Sequence, residues 1–146
     1  MSRERVIVVD GTGHIMGRLA SVIAKRLLEG EKVVVVNAEN IVISGNPYSI
    51  ISEWKRFLEV GEYRKGPFHP RRPDTIFRRV VRGMLPRRKF KGRRAFKRLK
   101  VYIGVPDSFK DVEFTVIEEA QASRLKGPRM SLGELAKHIG WRGGGG

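Results

Sequence analysis

Two short runs of β-branched residues, Val6-Ile7-Val8-Val9 and Val33-Val34-Val35-Val36, constrain this chain more than any other feature. Neither alternates apolar with polar residues, so each reads as a strand buried on both faces, the pattern of a parallel sheet. Between them Met16, Leu19, Ala20, Ile23 and Leu27 recur at the helical period and Gly30 closes the stretch, which predicts a helix from Met16 to Leu28. Strand, helix and strand joined by short loops make a βαβ unit, and the chain is read as α/β.

The remaining segments extend that reading. Ile41-Val42-Ile43 is a short extended piece, Pro47 starts a helix to about Leu58, and Gly61 to Pro73 is a loop. Asp74 is expected to cap a helix to Leu85, with Ile76, Phe77, Val80, Val81, Met84 and Leu85 on one side and Arg78, Arg79 and Arg82 on the other. Pro86 ends it. After a loop from Arg87 to Gly92, a short helix through Leu99 turns Ala95, Phe96 and Leu99 inward. Lys100 to Gly104 and Glu113 to Ile117 read as further strands, giving a small parallel sheet of about four. Ser131 and Glu134 form the capping box of a final helix. Residues 1–142 are expected to form one domain, and 143–146 a flexible glycine tail.

Charge is concentrated in one quarter of the chain. The net charge is +15, and the segment from Arg64 to Lys100 holds sixteen basic residues against the single acid Asp74. The remaining basic and acidic residues cancel, so the excess resides wholly in that segment. A block so charged repels itself unless a polyanion faces it. Eleven of the sixteen are arginines, whose planar guanidinium pairs bidentately with phosphate and stacks on bases, which favours structured nucleic acid. A cationic surface kept for solubility is the bland alternative, but added acids serve that purpose better. An anionic membrane surface would need a continuous bulky apolar face, which the segment lacks.

The expected phosphate contacts are Arg78, Arg79, Arg82, Arg87, Arg88, Lys89, Lys91, Arg93, Arg94, Lys97 and Arg98, with Lys100 ending the block. His69, Arg71 and Arg72 reach from the preceding loop, and Arg18 stands near the start of the first helix. Phe77, Phe90 and Phe96 interleave with the arginines. Helical spacing assigns Phe77 and Phe96 to the core and leaves Phe90 open between core and base stacking.

The competing reading is a nucleotide-binding enzyme using the turn Gly11-Thr12-Gly13-His14-Ile15-Met16-Gly17. Its first two glycines fit the dinucleotide fingerprint, but Met16 occupies the third position, Gly17 comes one residue late, and Asp10 would repel a pyrophosphate. The simpler reading is a turn whose glycines permit positive φ and, at Gly17, close packing of helix on sheet. No Walker loop or nucleophile elbow is present, and Ser131 to Trp141 has no recognition helix after it. Cysteine is absent, and His14, His69 and His138 are scattered, so neither a metal nor a cofactor is expected. The N-terminus lacks the apolar region of a signal peptide, and no apolar run approaches the ~18 residues of a span, so a cytoplasmic location is expected.

Several blocks of residues match a known family. Gly17-Arg18-Leu19-Ala20-Ser21, then Val36-Asn37-Ala38-Glu39 with Ile41 and Ser44-Gly45, then Arg82-Gly83-Met84-Leu85-Pro86 with Gly92, Ala95 and Leu99-Lys100-Val101-Tyr102, closely resemble the universal ribosomal protein thirteen of the large subunit. The loop Gly66 to Pro73 and the ending Ser131 to Trp141 are similar to its archaeal and eukaryotic branch. Val105-Pro106-Asp107-Ser108 stands where the bacterial branch has a histidine-rich stretch. The resemblance implies a three-layer α/β/α sandwich and a non-enzymatic component of the large ribosomal subunit. It also implies that the protein binds large-subunit ribosomal RNA, meets neighbouring ribosomal proteins and takes part in subunit assembly.

Overall fold

The structure is a computed structural model that describes residues 6–63, 71–86, 88–125 and 127–142. Strand β1 (Val6–Asp10), helix α1 (Met16–Leu28) and strand β2 (Lys32–Val36) form the expected βαβ unit. The two strands pair in parallel from Val6 opposite Lys32 to Asp10 opposite Val36. Four consecutive valines suit β2 because both its faces are covered: Val33 and Val35 turn to one side, Val34 and Val36 to the other, and all are buried. Gly30, at φ +100°, adopts the left-handed conformation that ends α1.

At the end of β2 the chain leaves the sheet. Asn37 sits at φ 54°, and a single 3-10 turn (Ala38–Asn40) carries the chain away. The Ile41-Val42-Ile43 run therefore contributes strand β3 (Val42–Ser44) to a separate antiparallel pair with β5 (Arg129–Ser131). The main sheet has three strands in the order β1-β2-β4, with β4 (Leu99–Val101) parallel to β2, one fewer than about four. Glu113 to Ile117 does not form a strand. The Thr115 amide donates to the Val8 carbonyl at 2.7 Å, but the Ile117 amide donates to the His14 side chain, which stops the ladder after one bridge.

Helix α2 (Pro47–Tyr63) runs past the expected end at Leu58 and through Gly61. Helix α3 (Pro73–Gly83) is not capped by Asp74, because Pro73 takes the first helical position and makes Arg72 the extended cap residue. The Asp74 carboxylate lies in the first turn, where the helix dipole favours a negative charge, and accepts from the Thr75 amide at 2.9 Å. The helix ends at Gly83, short of Leu85, and Met84 is exposed rather than inward. Helix α4 (Phe90–Lys97) starts inside the segment expected as a loop. Ser131 caps α5 (Leu132–His138) as expected, its hydroxyl accepting from the Glu134 amide at 3.1 Å.

One α/β sandwich results. On one face of the sheet α1, α3, α4 and α5 share a core of Val9, Leu19, Ile23, Val35, Ile76, Phe77, Val81, Leu99 and Leu135. The other face carries Val8, Val34 and Val36 beneath Tyr102, Val105, Phe109 and Phe114, which belong to an irregular segment with a single 3-10 turn (Asp107–Phe109).

Candidate nucleic-acid interface

Helices α3 and α4 each divide core from cation. In α3, Ile76, Phe77 and Val81 are buried while Arg82 is exposed and Arg78 and Arg79 are half-buried. In α4, Gly92 and Ala95 are buried while Lys91, Arg93, Arg94 and Lys97 are exposed. The helices sit close because Gly92 packs on the backbone of Pro86. A Cβ at Gly92 would collide with the Pro86 carbonyl oxygen and lie 2.7 Å from its carbonyl carbon. At its far end α4 is tied down by Arg98, whose Nη1 donates to the Leu27 carbonyl at 2.8 Å, satisfying an end carbonyl of α1.

Three adjoining grooves cross this face. The first, about 390 Å³, lies among Arg71, Arg72, Thr75, Arg78, Arg79, Arg82 and Phe96. The second, about 380 Å³, shares Arg82 and Phe96 and adds Leu85, Gly92, Arg93 and Lys97. The third, about 530 Å³, shares Arg93 and Lys97 and adds Phe90, Arg94 and Arg98. Shared walls make them one channel, and every titratable side chain lining it is an arginine or lysine; Asp74, the partner of Arg72, is not part of the lining. Arg72 Nε lies 3.3 Å from Asp74 Oδ1. Arg82, Arg88, Lys89, Lys91 and Lys97 are exposed and meet no carboxylate among the described residues.

The aromatic residues separate into three roles. Phe77 is fully buried, and Phe96 is half-buried beneath the Arg78 guanidinium, 4.7 Å from its ring centroid. Phe90 is 71% exposed, with the Arg94 guanidinium 5.4 Å from its centroid.

Not every expected contact joins this surface. Lys100 lies in β4 between Leu99 and Val101, both buried in the helix-side core, so strand alternation sends it to the opposite face of the sheet. Arg18 is exposed on α1, and neither it nor Lys100 lines the channel. Arg88, Lys89 and Lys91 stand exposed at the turn into α4. His69 and Arg87 lie outside the described residues.

The glycine turn does internal work. The amides of Gly11, His14 and Ile15 donate to carbonyls of Val36, Gly11 and Ala120. The Thr12 amide and Asn37 Nδ2 donate to Asp10 Oδ1 at 2.9 and 3.1 Å. The amides that a phosphate would need are thus already engaged, that of Thr12 by a carboxylate. Burial acts to raise the Asp10 pKa, but the hydrogen bonds from Thr12 and Asn37 outweigh it and hold the carboxyl below its ordinary value. The close approach in this turn is made by Gly11, where a Cβ would lie 2.7 Å from Ile41 Cγ1, and not by Gly17, around which space is open.

His14 has a role the sequence did not reveal. It is 2% exposed, and its Nε2 accepts from the Ile117 amide at 3.1 Å and lies 3.2 Å from Gln121 Nε2. The Ile117 bond requires an unprotonated Nε2, so the neutral ring carries its proton on Nδ1. Among the described residues no group of three or more His, Cys, Asp or Glu could hold a metal ion, and no helix is long and apolar enough to cross a membrane.

Comparison with known proteins bears on this surface. A family model described as "Ribosomal protein L13" matches residues 4–108. The large ribosomal subunit protein uL13 of Aeropyrum pernix is 51% identical over 96% of this chain and 93% of its own. That of Methanopyrus kandleri is 47% identical over 98% and 92%, and that of Archaeoglobus fulgidus 46% over 93% and 88%.

Proposed function

The chain belongs to the ribosomal protein L13 family, in its archaeal form, and from that premise we propose that the α3–α4 face binds large-subunit ribosomal RNA and supports subunit assembly. The protein is a structural component of the large ribosomal subunit and not an enzyme. The observation that carries the RNA reading is the channel itself: a continuous groove walled by arginines and lysines on helices whose other sides form the core. Held in that way, the cations neutralise phosphates where RNA strands converge without first having to be ordered. Arg71, Arg72, Arg78, Arg79, Arg82, Arg93, Arg94, Lys97 and Arg98 line the groove. Arg88, Lys89 and Lys91 extend its reach, Arg18 and Lys100 are contacts apart from it, and His69 and Arg87 join the proposal as members of the same basic stretch of sequence. Folded RNA meets such a surface with several phosphates at once, which is how a protein fixes the relative position of RNA segments during assembly.

The test is filter binding of the full chain to deproteinised large-subunit ribosomal RNA across a salt series. Reversing Arg88, Lys89 and Lys91 to glutamate removes up to three phosphate contacts, each worth about 0.7–0.9 in the slope of log K against log salt. The expected result is a sharp loss of affinity, a slope reduced by about two to three, and an unchanged far-ultraviolet circular dichroism spectrum. Retained affinity with an unchanged slope would refute the assignment of these residues.

A further inference from the structure

The α4 end of the channel differs from the rest in holding an aromatic ring that serves no core. Phe90 is 71% exposed at the first position of α4, while Phe77 is fully buried. An exposed ring alone means little, but this one stands in a groove otherwise lined by cations, where its face is open to stacking. The ring is also held in place: Arg94, on the same helix face one turn later, sets its guanidinium 5.4 Å from the ring centroid. The groove around this pair, about 530 Å³, is larger than its two neighbours and within the ~300–1,000 Å³ range of small-ligand sites.

We infer that this groove is a slot for one unpaired nucleotide of the RNA, with the base stacked on Phe90 and a flanking phosphate against Lys97. This rests on the proposed RNA-binding function and specifies what part of the RNA is recognised. A double helix presents phosphates and already stacked bases, so it has nothing to offer the exposed ring. A loop, bulge or strand end can turn a base outward onto it. Phe96 cannot do the same, because it is half-buried and its ring already lies beneath Arg78, 4.7 Å away. The slot is indifferent to base identity, since every base has a face to stack and the groove lining supplies cations and an aromatic ring rather than a fixed set of base-reading acceptors.

The experiment compares the full chain with Phe90→Ala, Phe90→Trp and Lys97→Ala on three RNAs: deproteinised large-subunit ribosomal RNA, a short single-stranded oligouridylate, and a duplex of matching length. Phe90→Ala is expected to weaken oligouridylate binding roughly 5- to 150-fold, the range for one lost base stack, with an unchanged salt slope. Its effect on the duplex is expected to be small. Phe90→Trp restores binding, and Lys97→Ala instead lowers the slope by about 0.7, the signature of a lost phosphate on a single strand. Equal losses on oligouridylate and duplex, or an oligouridylate affinity unaffected by Phe90→Ala, overturn the slot while leaving the basic channel in place. Failure of the unaltered chain to bind any of the three RNAs overturns the RNA-binding function and the slot with it.

Discussion

Replacing Gly92 with alanine tests the packing of α4 through the sign of the result. An ordinary glycine inside a helix costs about 1 kcal/mol relative to alanine, so Gly→Ala at an unobstructed position stabilises. Gly92 is obstructed by main chain: the new Cβ would overlap the Pro86 carbonyl oxygen, lie 2.7 Å from its carbon and 3.1 Å from Pro86 Cγ. No rotamer change relieves a clash between a Cβ and a backbone carbonyl, so α4 must move away from the end of α3. Overpacking of this kind costs about 1–3 kcal/mol, here toward the upper end, and the helix-propensity gain offsets about 1. The net expectation is a loss of about 2 kcal/mol, or roughly 4–8 °C in Tm for a chain of this size. Gly17→Ala and Gly83→Ala are the controls, since both positions are open and neither has positive φ. Each should gain up to about 1 kcal/mol. Urea unfolding followed by circular dichroism at one pH and salt concentration reads all three, with equal m values confirming a common transition. A Gly92→Ala variant as stable as the unaltered chain, or more so, would refute the close approach and with it the placement of α4 beside the channel.

The other predictions concern the turn after β1 and the two RNA surfaces. His14→Ala strands the buried Ile117 amide, and the expected loss of about 1–3 kcal/mol is read as a lower urea midpoint. Because the folded Asp10 pKa is lowered, its contribution is fully present above the unfolded value near 4 and is lost as pH falls through the folded value. The stability gap between the unaltered chain and Asp10→Asn should therefore be constant from pH 7 to 5 and close below about 4. A gap that widens on acidification would reverse the sign. Charge reversal at Arg88, Lys89 and Lys91 and truncation of Phe90 should separate cleanly, the first changing the salt slope of RNA binding and the second only the affinity.

How far these features could be read in advance depended on how locally each is determined. The boundaries of α1 and the parallel pairing of β1 with β2 follow from nearby apolar periodicity, and the structure has both. The β3–β5 pair joins residues about ninety positions apart, and neither three-residue strand carries a pattern that names its partner. The shift of the α3 cap from Asp74 to Arg72 turns on Pro73, which fits the first helical position so well that the acid moves inside the helix. Cations are visible in any sequence, and helical spacing put Arg78, Arg79 and Arg82 opposite the core of α3, but not every cation's direction was foreseen. Lys100 is the instructive case, because its apolar neighbours Leu99 and Val101 already implied that it points away from them. Glycine spacing invited attention to Gly17, while the tight contacts belong to Gly11 and Gly92, whose obstacles are the side chain of Ile41 and the backbone of Pro86. A solitary histidine likewise gives no hint of burial, and His14 became legible only once Ile117 and Gln121 were placed around it.

The bond from Arg98 to the Leu27 carbonyl, at the foot of a helix whose inner side is part of the core, has a bearing on how such a protein can evolve and be handled. A disordered cationic tail can be trimmed, lengthened or grafted elsewhere with little consequence for its host. Here the gripping surface is the outer skin of the same packed unit that gives the molecule its shape, so an excised fragment would carry the charges without their arrangement, and insertions at the join of α3 and α4 would be felt in both roles at once.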